Sequence, residues 1–257
     1  MTQILKALYN QSDYHDKSGM IFHTDCIKFM SDIQTGGVFD VTITDIPYDA
    51  VNTKRNTSAD SHGVRVLNKG SADELTFDLI NFLDEVYRLT KGTIIIFCGN
   101  EQYSTIYDYF STKSAAKEGT TRQIIWHKTN PSPMNGQYIY LSATENAVWF
   151  KKRGATFNAH CKHNVFEFPT GRSKIHPTEK NHELIRDLIL DNSNEGDIIF
   201  DPCAGSLSHC LVAKENGRRY VGCELNEDYF NKGIARLKGE LIWQQKQSTH
   251  SAIAETT

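Results

Sequence analysis

Apolar positions along this chain change period several times, and each change marks an element. Phe39, Val41 and Ile43 alternate with polar residues and run into Thr44-Asp45-Ile46-Pro47-Tyr48, which predicts a strand stopped by a proline turn. Residues 52–70 are polar and punctuated by glycine. They predict a long mobile loop, either a lid or a disordered stretch. Leu75, Leu79, Phe82, Leu83 and Val86 then recur at helical spacing, with Asp78, Asp84, Glu85 and Arg88 on the other face. After Gly92, residues 93–97 form a continuous apolar run. Such a run belongs to a strand covered on both faces, as in a parallel sheet. A second helix is expected at 101–114 and further strands at 124–126 and 147–150. Leu184, Ile185, Leu188 and Ile189 make another helix stripe. It is followed by a strand at 198–200, a turn at 201–206, a helix ending at Gly217, a strand at 220–223 and a last helix from Asn226. The tail 248–257 is small and polar and is expected to be disordered. Strands alternating with helices predict an α/β domain, doubly wound around a mostly parallel sheet.

A length of 257 residues allows one substantial core. No apolar run is long enough to span a membrane, so no membrane partner is expected. The opening residues lack the basic-then-apolar order of a secretory signal. The six cysteines are scattered without a CxxC pair, which suits reduced thiols in a cytoplasm. His160-Cys161-x-His163 lacks further paired ligands, and no metal is expected.

Net charge is −3, but it is uneven. Between residues 151 and 180, Lys151, Lys152, Arg153, Lys162, Arg172, Lys174 and Lys180 outnumber Glu167 and Glu179. A basic segment on an acidic body suits contact with phosphates, and equally a solvated loop.

Two turns carry candidate chemistry, both where an open α/β sheet binds ligands, at the carboxyl ends of strands. The first is Asp45-Ile46-Pro47-Tyr48. The exocyclic amine of a nucleobase is a poor nucleophile because its lone pair is delocalised into the ring. Acceptors for the amino protons pull the nitrogen toward tetrahedral geometry and aim the lone pair at an electrophile. A carboxylate and the next backbone carbonyl, stiffened by proline, supply those acceptors. The following tyrosine can stack on an extruded base, an interaction worth roughly 1–3 kcal/mol. Taken alone, D-x-P-Y is also ordinary turn sequence. The second turn is Asp201-Pro202-Cys203-Ala204-Gly205-Ser206. Its free N–H groups at a helix start suit an anion, and Glu224 at the next strand end suits ribose hydroxyls. An ordinary strand-helix loop reads the same way.

Together these segments, over roughly residues 20–240, resemble the beta group of DNA amino-methyltransferases, in which a D/S/N-P-P-Y segment precedes the cofactor loop. Residues 22–26 resemble the family's opening segment, with Asp25 and Cys26 as cofactor contacts. Trp126-His127-Lys128 with Asn130-Pro131-Ser132-Pro133 resembles the stretch after the sixth motif. His176-Pro177-Thr178-Glu179-Lys180 resembles the H-P-T-x-K segment, so that His176, Thr178 and Lys180 would help hold the methionine moiety. Asp201, Pro202, Ala204, Gly205, Ser206 and Glu224 match the cofactor loop and the ribose acid. The resemblance implies a Rossmann-like methyltransferase domain over 1–247 that uses S-adenosyl-L-methionine.

Ile46 stands where the family usually has proline, which leaves the carbonyl in place. Cys203 and Leu207 stand where the family has phenylalanine and a second glycine. Leucine costs close approach of backbone to ligand, which implies weaker cofactor binding or a reshaped pocket. Pro202-Cys203 resembles a cytosine-C5 nucleophile, but it lies in the cofactor turn and is not read as one.

Asp at the first catalytic position implies adenine N6, with cytosine N4 or an RNA base as the alternatives and a noncatalytic DNA-binding decoy as the rival class. Target recognition is expected in an inserted segment at 151–175, where Lys151, Lys152, Arg153, Arg172 and Lys174 would contact double-stranded DNA, helped by 52–70. So short a segment fits a short or relaxed target, or a homodimer whose second subunit adds contacts. A cognate restriction nuclease is a further candidate partner, and the cytoplasm of a bacterium or phage-infected host the expected location.

Overall fold

The computed structural model describes residues 2–48, 77–133, 136–170 and 179–240. The expected loop at 52–70, the tail at 248–257, and Leu75, Arg172, Lys174, His176 and Thr178 lie outside the described residues.

In chain order the elements are α1 (Gln3–Gln11), β1 (Tyr14–His15), β2 (Gly19–His23), α2 (Cys26–Asp32), β3 (Phe39–Asp45), α3 (Leu79–Leu89), β4 (Thr90–Cys98) and α4 (Asn100–Ala115). There follow β5 (Gly119–Lys128), β6 (Thr144–Lys152), β7 (Val165–Phe168), α5 (His182–Asn192), β8 (Ile198–Asp201), α6 (Ser208–Glu215), β9 (Arg219–Glu224) and α7 (Glu227–Leu237). The strands form a single sheet in the order β1-β2-β9-β8-β3-β4-β6-β5-β7. The five strands from β2 to β4 are mutually parallel, whereas β6 runs antiparallel between β4 and β5.

Alternation along the central strands explains why both faces are covered. Ile94 and Ile96 of β4 pack into one core layer with Phe82, Leu83 and Val86 of α3 and Phe110 of α4. Their neighbours Ile95 and Phe97 join the opposite layer with Leu184, Leu188 and Ile189 of α5 and Ile234 of α7. Burying each such side chain stabilises the fold by roughly 1.5–3 kcal/mol. Several helix starts are set by side-chain caps. Asp78 accepts from the Asn81 N–H, Asn181 from the Glu183 and Leu184 N–H groups, and Asn226 from the Tyr229 N–H.

Strand β3 leads through α3 to β4 on one side, while β8 leads through α6 to β9 on the other, so strand order reverses between β3 and β8. These two strands pair directly, with Val41 opposite Ile199 and Thr42 opposite Phe200. The turns after Asp45 and after Asp201 therefore leave the sheet side by side at the switch point.

The expected recognition segment divides between places in the fold. Lys151 and Lys152 end β6, and Lys151 pairs with Thr93 near the start of β4. Residues 165–168 form β7, which extends the sheet parallel to β5 and was not anticipated by periodicity.

Candidate active site

Asp45 closes β3, and the next residues are pinned from three directions. The Ile46 N–H donates to the Phe97 carbonyl at 3.2 Å, and the Ile46 side chain is buried in the core. Isoleucine in place of the first of the two prolines thus gains a backbone bond and a core anchor. Gln102, buried near the start of α4, donates to the Pro47 carbonyl at 2.9 Å and accepts from the Gly99 N–H at 3.0 Å. Tyr48 packs beside Gly99, where an added Cβ would lie 3.4 Å from the tyrosine Cβ.

Four ionisable groups from four elements or turns converge here. The buried Lys180 Nζ donates to Asp45 Oδ2 at 2.5 Å, to Tyr48 Oη at 3.2 Å and to Glu145 Oε2 at 2.9 Å. Glu145, near the start of β6, also pairs through Oε1 with Lys128 Nζ at 2.7 Å and accepts from Tyr48 Oη at 3.3 Å. Burial opposes the charge on Lys180, but Asp45, Tyr48 and Glu145 hold its ammonium well above the ordinary lysine value. Burial likewise works against Glu145, yet Lys180 and Lys128 bring its carboxyl down to about 2. Asp45 is raised instead, because burial and the like charge of Glu145 outweigh the single ammonium it touches. Tyr48 is raised well above its usual value by burial and by Asp45. Asp45 Oδ1 is buried and has no hydrogen-bond partner among the described residues.

The neighbouring turn is organised from beneath. Asp201 is fully buried. Its Oδ1 accepts from Thr44 Oγ1 at 2.7 Å and from the Cys203 N–H at 3.2 Å, and its Oδ2 bonds His209 Nδ1 at 2.6 Å. The Ala204 N–H bonds the Cys223 carbonyl at 2.9 Å. Glu224 accepts from the Gly205 N–H at 2.7 Å and the Asn226 N–H at 2.6 Å, and burial raises its carboxyl. Gly205 has a φ of +50°, and a Cβ there would meet nothing within 4 Å, so this part of the turn faces open space. Asp25 caps α2 through the Lys28 N–H at 2.9 Å. Asp25, Glu224, Asp201 and Asp45 thus stand in a row at the carboxyl ends of β2, β9, β8 and β3, spanning roughly 14 Å at the usual strand spacing.

This arrangement, two acid-tipped strands paired at the switch point, agrees with the relationships found by comparison. A profile of the N6/N4 methyltransferase type, described as DNA methylase, matches residues 39–236. The chain belongs to the N6/N4 DNA methylase family. It is 27% identical to the type II methyltransferase M2.DpnII of Streptococcus pneumoniae, over 88% of this chain and 92% of that one. It is 34% identical to the DNA adenine methyltransferase YhdJ of Escherichia coli K12 over a shorter stretch, 48% of this chain and 36% of YhdJ. Among solved structures, the M1.HpyAVI–SAM complex superposes with a TM-score of 0.65 at 26% identity, over 85% of this chain and 99% of that one. The PvuII cytosine-N4-specific methyltransferase has a TM-score of 0.66 at 14% identity and shares the fold. As a member of this family the protein is an S-adenosyl-methionine-dependent DNA methyltransferase.

The residues present fit that cofactor. Glu224 offers acceptor oxygens for hydroxyls while it ties down the Gly205 N–H, and Gly205 leaves the turn's face open. Several expected contact residues also have partners within the protein. Asp201 is engaged by Thr44, Cys203 and His209, so its carboxylate shapes the turn from inside. Pro202 and Ala204 are buried, and Ser206, also buried, bonds Ser208 Oγ at 3.0 Å. The Cys26 thiol is buried against Cys203, so it supports the turn from below. That contact and burial push the Cys203 thiol well up, which keeps it a neutral packing group. Lys180 ends on Asp45, not on the cofactor turn. Its neighbour Glu179 pairs with both Arg236 nitrogens at 2.8 Å, and Arg236 Nη1 also bonds Ser208 Oγ at 3.0 Å.

Leu207, where the family has a second glycine, turns its side chain away from the open face of the turn. Its backbone is left-handed, with φ 59° and ψ 28°, but its side chain is fully buried against Gly233 of α7. Lys151, Lys152 and Arg153 are not brought to this site. They lie at the amino end of the parallel strands, roughly 15 Å down the sheet from Asp45. There Lys152 Nζ is bound by the Tyr87 and Thr90 carbonyls, both at 2.7 Å.

Sequence reasoning missed Glu145, Gln102, His209 and Arg236 as site residues. The only signal for Glu145 was a lone acid at the head of an apolar strand, a pattern too common to single out.

Proposed function

We propose that the protein methylates adenine N6 in double-stranded DNA, on a base turned out of the duplex. One observation carries this reading: a buried carboxylate oxygen, Asp45 Oδ1, without a partner among the described residues and next to the paired end of β8. Aspartate at that position favours adenine, and the likeness to YhdJ supports the same base.

S-adenosyl-methionine supplies an electrophilic methyl group. Asp45 Oδ1 accepts one amino proton of the base, and the Ile46 carbonyl is the second acceptor. Pro47 limits the turn's φ, so both acceptors keep their direction. Tyr48 offers an aromatic face for stacking. Once the nitrogen carries the methyl group it must lose a proton, and Asp45 takes it at Oδ1. The raised carboxyl of Asp45 makes it a better base than an exposed aspartate. Asp25 and Glu224 are the cofactor's hydrogen-bonding acids.

Arg172 and Lys174, outside the described residues, are proposed to contact the DNA. A second subunit is proposed to add contacts, because Lys151, Lys152 and Arg153 point to the opposite edge. Likeness to a type II methyltransferase supports a paired restriction nuclease, and the bacterial relatives support work in a bacterial or phage-infected cytoplasm.

Incubation with labelled S-adenosyl-methionine and unmethylated genomic DNA, followed by nucleoside analysis, should yield N6-methyladenine. N4-methylcytosine would replace the base assignment, and label in RNA alone would replace the substrate. Asp45→Ala should lower turnover by at least about 10³-fold with cofactor affinity within about twofold. Retained turnover would reject the catalytic assignment.

A further inference from the structure

We propose that Glu145 is a positioning residue for methyl transfer, acting through Lys180 so that one oxygen of Asp45 is anchored and the other is presented to the amine. This rests on reading Asp45 as the amine acceptor.

The geometry is fully determined around the ammonium. Lys180 has three N–H donors, and three acceptors surround it: Asp45 Oδ2 at 2.5 Å, Glu145 Oε2 at 2.9 Å and Tyr48 Oη at 3.2 Å. Its side chain is 3% exposed, so water is not a competing partner. Oδ2 is therefore held by Lys180, while Oδ1, buried beside it, keeps no partner among the described residues. Glu145 supplies the restraint from the far side. It comes from β6, which belongs to the antiparallel part of the sheet, and it is itself steadied by Lys128 at 2.7 Å.

Charge sharing gives Glu145 a second effect. Both lysines touch Glu145, but only Lys180 touches Asp45. Asp45 therefore receives part of one positive charge and remains the more basic of the two carboxylates. Other groups facing Asp45 are Tyr48, Cys98 and His209. Removing the Glu145 charge concentrates Lys180 on Asp45 and weakens Asp45 as a base. Removing the Lys128 charge draws Lys180 toward Glu145 and strengthens it. The two substitutions have opposite signs, which a purely structural role would not produce.

The test follows the side-chain carboxyl of Asp45 by carbon NMR, with Asp45→Asn for assignment, in the full chain and in Glu145→Gln and Lys128→Met. The midpoint should fall by about one pH unit in Glu145→Gln and rise in Lys128→Met, within the range that one nearby charge produces. The acid limb of kcat against pH should move in the same directions. In Glu145→Gln, kcat should drop roughly tenfold while KM for DNA and for cofactor stays within about twofold. Midpoints that stay still in both variants, or move the same way, overturn the proposal. If Glu145→Gln does not fold, the Lys128→Met shift alone decides. Product analysis of the unsubstituted protein tests the adenine reading separately, since the NMR midpoints do not depend on turnover.

Discussion

Asp45 and Glu145 are both carboxylates of one buried cluster, yet they become different acids. Two lysines hold Glu145 at about 2, whereas burial raises Asp45. A carboxyl lowered on folding contributes stability above its unfolded value and loses it as pH falls. For Glu145 the loss runs from about pH 4.5 down through about 2, and is worth up to about 3 kcal/mol. Urea midpoints measured across that window should be flatter in Glu145→Gln than in the unsubstituted chain. Equal slopes would mean that the two lysines do not hold the carboxylate. Among residues, the motif positions were legible because Asp-x-Pro-Tyr needs contiguous neighbours. Glu145, Gln102 and His209 were not, since each meets its partner only across the fold.

Between elements, the turn from β8 into α6 shows how a motif departure can be absorbed. Leu207 sits in left-handed backbone, which costs roughly 1–2 kcal/mol for a residue with a Cβ. Its buried side chain offsets that cost by packing against α7 where Gly233 leaves room. A Cβ at Gly233 would fall 2.4 Å from Leu207 Cγ. Gly233→Ala should therefore lower stability by about 1–3 kcal/mol through overpacking. Adding Leu207→Ala should restore part of it, so the double-mutant cycle should show coupling of at least about 0.5 kcal/mol. Strict additivity in thermal or urea melts would show that the two residues do not press on one another. The departure itself was visible in the sequence. The place its side chain finds was not, because Gly233 lies on a separate helix.

Across the whole molecule, sheet direction decides which charges can meet DNA. Lys151, near the end of an antiparallel strand, and Arg153, in the turn after it, lie at the edge opposite the catalytic turn. Neutralising both should leave the salt dependence of DNA binding unchanged, where two lost phosphate contacts would lower the slope by about 1.8. A reduced slope in binding titrations would return the DNA surface to that edge. Lys152→Met should instead destabilise the fold, since its ammonium holds two carbonyls of the α3–β4 junction.

By itself the sequence determined the alternation of strands and helices, the two acid-bearing turns and the family, because apolar period and contiguous motifs are local properties. Only the tertiary structure decided that β3 and β8 are neighbours and that β6 runs backwards. Pairing partner and strand direction depend on residues far apart in the chain. That reversal carries Glu145 to the catalytic edge and takes Lys151 away from it.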